Sequence, residues 1–241
     1  MESKEFYTTK ELAELLGISR VAVFNRIKKG YIKAQKMGRN FFIFKKDIGD
    51  LDIFLSNLFK LAKDWAVLHK EFPDQFYCQN SGVFQARVTK MGGLMMENKN
   101  AKSLFSLLTS IAGEIGNNSY DHNLGQWPDT PGIFFGYDLN KKQIVLADRG
   151  VGILKTLKRV KSELENHEQA LKVAFTEIIS GRKPEARGNG LKYVRSVISK
   201  NPINLIFQTG DAKLILNGGS ADLDIKVVKE NIHGCIALIT Y

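Results

Sequence analysis

Three short glycine-bearing segments, two of them with carboxylates and each set against an apolar run, constrain this 241-residue chain more than anything else in it. They are Glu114-Ile-Gly-Asn-Asn118-Ser-Tyr-Asp121, Asp148-Arg-Gly150-Val-Gly152 and Gly188-Asn-Gly190-Leu191. The first continues the stretch from Ser103 to Ala112, whose apolar spacing predicts a helix. Glu114 and Asn118 are four apart and share a face of that helix, with Asp121 close to the same line. Polar groups gathered on one side of an apolar helix need partners once they are covered. A hard cation is a natural one, because Mg²⁺ takes oxygen ligands and shares them with phosphate. The second segment follows a predicted strand, Gln143 to Ala147, and opens with a carboxylate. Two glycines after it allow a tight turn and close approach of a ligand to the backbone. A carboxylate at the base of such a turn can accept a hydrogen bond from an exocyclic amine. The third opens a predicted helix through Ile198, where free N–H groups attract anions and glycines let phosphate come near. Other phosphate-binding patterns are missing: there is neither a G-x-x-x-x-G-K-[ST] loop nor the glycine-loop, H-R-D and D-F-G set.

In this order the segments resemble the nucleotide pocket of the GHKL superfamily, which includes gyrase, Hsp90, histidine kinases and MutL. The resemblance covers roughly residues 100–241. It implies a site for ATP and Mg²⁺. Asn118 would hold the metal, Glu114 would activate the attacking water or hydroxyl, and Asp148 would read the adenine amine. Asp121, Gly150, Gly152, Gly188, Gly190 and Leu191 complete the implied nucleotide site. The polar stretch Ser180–Arg187 reads as a lid, in which Arg182, Lys183 or Arg187 could meet the γ-phosphate. One departure stands out: Cys235 occupies the place after Gly234 where many members carry Thr.

The front of the chain carries a different pattern. Phe6 to Ser19 resembles the start of a MerR- or excisionase-type winged helix-turn-helix. Thr8 or Thr9 can cap the first helix, Gly17 makes the turn and Ser19 caps a second helix through Ile27. Lys36 to Asn40 reads as the tip of a β-hairpin, the wing. Between Glu14 and Asp47 there is no acidic residue, in a chain with a formal net charge of +10. Such a concentration of bases is built to meet phosphate. In modules of this type the second helix enters the major groove of double-stranded DNA. Arg20, Asn25 and Arg26 are the candidates for base edges. Lys28, Lys29, Lys36 and Arg39 are the candidates for phosphate contacts.

Between these regions Leu51, Phe54, Leu58, Leu61, Trp65, Leu68 and Phe72 alternate spacings of three and four. This is a heptad seam, widened by Leu55 and Ala62, and suited either to a dimer helix or to packing on the same chain. Beyond it, Phe76 to Cys78 and Val83 to Val88 read as two strands around a hairpin turn at Asn80-Ser81-Gly82. Cys78 and Cys235 lack metal-type spacing and read as thiols of a reducing cytosol. The four histidines form no ligand pattern, and His122 is expected to pack or cap. No apolar run is long enough to span a bilayer, and the first residues are too polar for a signal peptide.

The expected fold is α+β. It has a winged helix-turn-helix over 1–50, a helical connector over 51–73 and a Bergerat-type α/β sandwich over 74–241. The sandwich would place helices on one face of a mixed sheet with strands at Ile133–Tyr137, Ile144–Ala147, Ile203–Gln208, Lys213–Leu216 and Cys235–Tyr241. The expected function is a cytoplasmic, homodimeric DNA-binding transcriptional regulator controlled by ATP. A protein Ser/Thr kinase of the anti-sigma type, acting on a partner protein, is the alternative. A histidine kinase is disfavoured, because no recognisable His-bearing dimerisation helix precedes the implied ATP domain, and His69 on the connector lacks the usual His-Glu pair.

Overall fold

The computed structural model describes residues 6–16, 19–28, 32–38, 40–44, 58–70, 74–178 and 189–241. The chain divides into two units, Met1–Leu58 and Phe59–Tyr241. Both are built from helices and antiparallel sheet, so the chain is α+β.

In the first unit, Thr8 and Glu11 form a reciprocal cap. The Thr8 backbone N–H donates to Glu11 Oε2 at 2.9 Å, and the Glu11 N–H donates to Thr8 Oγ1 at 3.3 Å. That starts α1, Thr9–Leu16. Helix α2 spans Arg20–Lys28. Strands β1 (Phe6–Thr8), β2 (Gln35–Met37) and β3 (Asn40–Phe44) form a sheet in the order β1-β3-β2. The β2–β3 hairpin is where the sequence predicts one, and β1 adds a third strand to it. Leu12, Ala13, Val23, Ile32 and Ile43 make a small shared core.

Helix α3, Leu58–Leu68, lies in the second unit but for its first residue. Its buried residues are Leu58, Ala62, Trp65 and Ala66, whereas Leu68 is 57% exposed. The spacing i, i+4, i+7, i+8 is that of an ordinary amphipathic helix, not the predicted a/d seam. Trp65 lies against Phe134, ring centroids 6.5 Å apart, so this face is covered by the same chain. Leu51, Phe54 and Phe72 of the predicted seam lie outside the described residues. His69, with φ of +55°, ends the helix in the left-handed region.

Residues 74–100 do not form the predicted hairpin. A short 3₁₀ turn, Asp74–Phe76, leads to the two-residue strand β4, Tyr77–Cys78. Asn80 then caps a 17-residue helix α4, Ser81–Glu97, its side chain accepting from the Val83 N–H. The turn-like Asn-Ser-Gly is thus a helix start. Phe84, Val88, Met91 and Met95 form the buried stripe that fixes it.

Helices α5 (Phe105–Asn123), α6 (Gly152–Leu157), α7 (His167–Thr176) and α8 (Gly190–Ile198) follow. Strands β5 (Ile133–Asp138), β6 (Gln143–Asp148), β7 (Asn204–Leu216) and β8 (Asp224–Thr240) join β4 in the order β4-β5-β6-β8-β7. Every neighbouring pair is antiparallel, which corrects the expected mixed sheet. The helical crossover from β6 to β7 leaves those two strands running the same way, but β8 lies between them and opposes both. The expected strands at 203–208 and 213–216 are one strand, continuing through Gly210 with shifts of register. Ile133, Phe135, Ile144, Leu146, Phe207 and Ala237 face the layer of α4, α5, α7 and α8 and form the main core. Phe134 faces the other way, towards α3. Among the described residues, no helix is long and apolar enough to cross a membrane.

Candidate functional site

The sheet's strand ends and helix α5 enclose a cavity of about 560 Å³. That is the size of a small-molecule site. Glu114, Asn118, Asp121, Asp148, Gly152, Gly190 and Leu191 all line it, so residues from all three segments share one space. Leu146, Ile153, Leu157, Phe207 and Ala237 supply apolar wall, and Asn189 and Tyr193 add to the polar rim. Gly150 is not in the wall; its N–H holds Asp148. Arg182, Lys183, Arg187 and Gly188 lie outside the described residues.

At the entrance to α8 the first and third segments meet closely. A methyl group on Gly190 would stand 2.5 Å from Glu114 Oε2 and 3.3 Å from Asn118 Nδ2. Glycine leaves that gap open without moving the Glu114 carboxylate, at the start of a helix where free N–H groups attract an anion. Glu114 and Asn118 are half-buried on α5 and Asp121 is exposed.

At the other end Asp148 is 2% exposed. Its Oδ2 accepts from Ser119 Oγ at 2.8 Å and its Oδ1 from the Gly150 N–H at 2.8 Å. Burial pushes its pKa above the ordinary carboxylate value, opposed by these two bonds and by one from the Cys235 backbone N–H. The Cys235 thiol is held well above its ordinary value, first by desolvation and then by the Asp148 carboxylate beside it. Such a thiol is a packing group rather than a nucleophile. Desolvation also lowers the pKa of His122, which lines the cavity, and the Arg159 charge adds to the effect.

Three polar residues that the sequence did not single out frame this end. Ser119 is one turn beyond Ile115 on α5 and binds Asp148 directly. Asn123 is buried; its Nδ2 donates to the Ser119 carbonyl and its Oδ1 accepts from the Val151 N–H, each at 2.8 Å. It ties the end of α5 to the turn after β6. Thr209, fully buried on β7, donates to the Gly234 carbonyl at 2.9 Å and accepts from the Ile153 N–H at 3.3 Å. A hydroxyl thus reaches the neighbourhood of Cys235 from the adjacent strand. Gly152 has φ of +76°, and a side chain there would meet the His233 carbonyl at 2.8 Å and Thr209 Oγ1 at 3.0 Å.

The residues fit a nucleotide with Mg²⁺. Oxygen-bearing side chains and a glycine-lined helix start stand at one end, and a buried acceptor beside apolar surface stands at the other.

In the first unit, Asn25, Lys28 and Lys36 are exposed, the first two on α2 and the third on β2. Arg20 Nε donates to Thr9 Oγ1 at 3.2 Å, and its guanidinium lies 5.7 Å from the centre of the Phe24 ring. It braces α1 against α2. Lys29, Arg39 and the Arg26 side chain lie outside the described residues.

No family model matches the chain, and no curated protein matches its sequence.

Proposed function

We propose that the second unit is a GHKL-like site for ATP and Mg²⁺ on a Bergerat-type sandwich. The first unit would be a winged helix-turn-helix that binds double-stranded DNA, making the chain an ATP-responsive, DNA-binding regulator. One observation carries the reading: Glu114, Asn118, Asp148 and Gly190, drawn from three separated segments, line one cavity. Asn118 would contribute an oxygen to the metal, which supplies charge for the phosphates when bound. The N-terminal amides of α8 would meet phosphate oxygens. Asp148 would accept from the adenine amine. Glu114 stands next to the α8 entrance, where it would orient and deprotonate a water or a hydroxyl. The basic first unit, with Asn25 and Lys28 facing solvent from α2 and Lys36 from the hairpin, suits a DNA backbone and groove.

Calorimetry with ATP and with GTP, each with and without Mg²⁺, tests the pocket. Preferential, Mg²⁺-dependent ATP binding that Asn118→Ala weakens supports it. No binding of any adenine nucleotide overturns it. Binding of genomic DNA fragments with and without ATP–Mg²⁺ tests the regulator, and equal affinities refute ATP control. Transfer of labelled γ-phosphate separates the classes: label on a protein favours the kinase alternative, and free phosphate favours hydrolysis.

A further inference from the structure

Arg149 lies inside the second segment, yet it takes no part in the cavity. Side chains alternate along a strand. On β6, Ile144, Leu146 and Asp148 point to the helix layer and the cavity. Arg149 continues the alternation and points to the reverse face of the sheet. There its guanidinium lies 5.7 Å from the centre of the Trp65 ring on α3. It pairs with Asp129 and meets His69 Nδ1 at the end of α3. His69 Nδ1 and Asp129 Oδ2 are themselves 3.3 Å apart. Only 10% of the Arg149 side chain is exposed, and its Nε has no hydrogen-bond partner among the described residues. Trp65 is seated in turn on Phe134, which stacks on Phe76 at 5.2 Å.

The two faces are joined by one short turn. Asp148 Oδ1 accepts from the Gly150 N–H, so the carboxylate closes a ring around the backbone of Arg149. This is an Asx-type turn. Three donors already draw on this carboxylate, so a ligand that takes its remaining lone pair weakens the bond to the Gly150 N–H, and the peptide that answers is the one carrying Arg149.

We infer that Arg149 is the joint between the cavity and α3: it clamps the helix that follows the N-terminal unit in sequence, and occupancy at Asp148 changes its grip. The inference rests on the nucleotide reading above. It assigns Arg149 a positioning role, with no contact to the ligand. A two-state element whose balance a ligand biases is the physical requirement for such coupling.

Amide hydrogen exchange on the full chain, read over Leu58–Leu68, tests it. In the wild type, ATP–Mg²⁺ should change exchange over this segment by about threefold or more, as local opening is rebalanced. Arg149→Ala should speed exchange there by roughly tenfold without nucleotide and abolish the further response to ATP–Mg²⁺. Its ATP affinity by calorimetry should stay within about threefold of wild type, a change of less than one kcal/mol. Arg149→Lys keeps the charge but loses the planar stack, and Asp129→Asn removes the partner at an accessible position. Both should loosen α3 in the same direction, and they serve where Arg149→Ala does not fold. Wild type that binds ATP–Mg²⁺ with unchanged exchange over Leu58–Leu68 overturns the inference alone. So does a full ligand response in Arg149→Lys and Asp129→Asn. A wild type that binds no adenine nucleotide overturns the pocket reading and this inference together.

Discussion

Replacing Asp148 by Asn separates what this carboxylate does for the fold from what it would do for a ligand. The side chain receives three hydrogen bonds, from Ser119 Oγ, the Gly150 N–H and the Cys235 N–H. An amide of the same shape offers one oxygen and one NH₂. The two backbone donors cannot reverse, so they claim the oxygen, which has two lone pairs. The NH₂ then faces Ser119, whose hydroxyl can accept it and turn its own proton to the Ile115 carbonyl, 3.4 Å away. No donor is stranded. The loss of charge weakens the remaining bonds but also removes a carboxylate that burial disfavours. The net change in folding stability should be within about 1 kcal/mol. The ligand has no such escape, because an adenine amine can only donate. Losing a charge-assisted bond costs about 1.5–3 kcal/mol, or roughly 10- to 150-fold in affinity. The assay is thermal unfolding beside ATP calorimetry for Asp148→Asn and wild type. Equal ATP affinity refutes adenine recognition by Asp148. A stability loss beyond about 3 kcal/mol refutes the argument that Ser119 absorbs the change.

Glu114→Ala should reduce phosphate release by at least about 100-fold while ATP affinity stays within threefold, and unchanged turnover removes it as the base. Gly116→Ala should destabilise by about 1–2 kcal/mol, because its methyl would stand 2.2 Å from the buried Phe84 ring and overpacking exceeds the gain in helix propensity. Gly113→Ala on the same helix meets nothing within 4 Å and should instead stabilise by up to about 1 kcal/mol; thermal melts that fail to separate the two refute the packing argument. His122 has a folded-state pKa below its unfolded value, so the unfolded chain takes the proton first and stability falls as pH drops below about 6.5. Across that window the wild type should lose more stability than His122→Gln, and parallel losses in denaturant titrations would count against a desolvated His122.

The segments bearing Glu114, Asp148 and Gly190 were legible because each couples a chemical type to a change of element. They fall on α5, at the end of β6 and at the start of α8. Helix α4 was misread because Asn80-Ser81-Gly82 satisfies two local rules at once, as a hairpin turn and as a helix cap. The stripe of Phe84, Val88, Met91 and Met95 at helical spacing was the signal that decides between them. Which positions of the connector are covered was not legible for a related reason: Leu and Ala both fit an apolar face, and the choice depends on Phe134, about 70 residues away, whose contact with Trp65 accords with the packing on the same chain that the sequence left open. Ser119, Asn123 and Thr209 could not be ranked from sequence, since their partners lie on elements distant in the chain. Strand order is likewise non-local, and nothing in the pattern of β8 says that it inserts between β6 and β7.

That insertion sets the order in which the unit can be completed. Strand β8 follows β7 in the chain, yet it is the one that bridges β6 and β7. A nascent chain therefore holds β6 with one open edge until residues 224–240 have emerged. Open strand edges template unwanted pairing, and non-local pairings form slowly. The cavity inherits this timing, because Cys235 and Ala237 on β8 are part of its wall. A ligand that recognises only the finished cavity draws chains forward out of the half-paired state by mass action. In the cell, such a molecule would set the yield of folded protein as well as its activity.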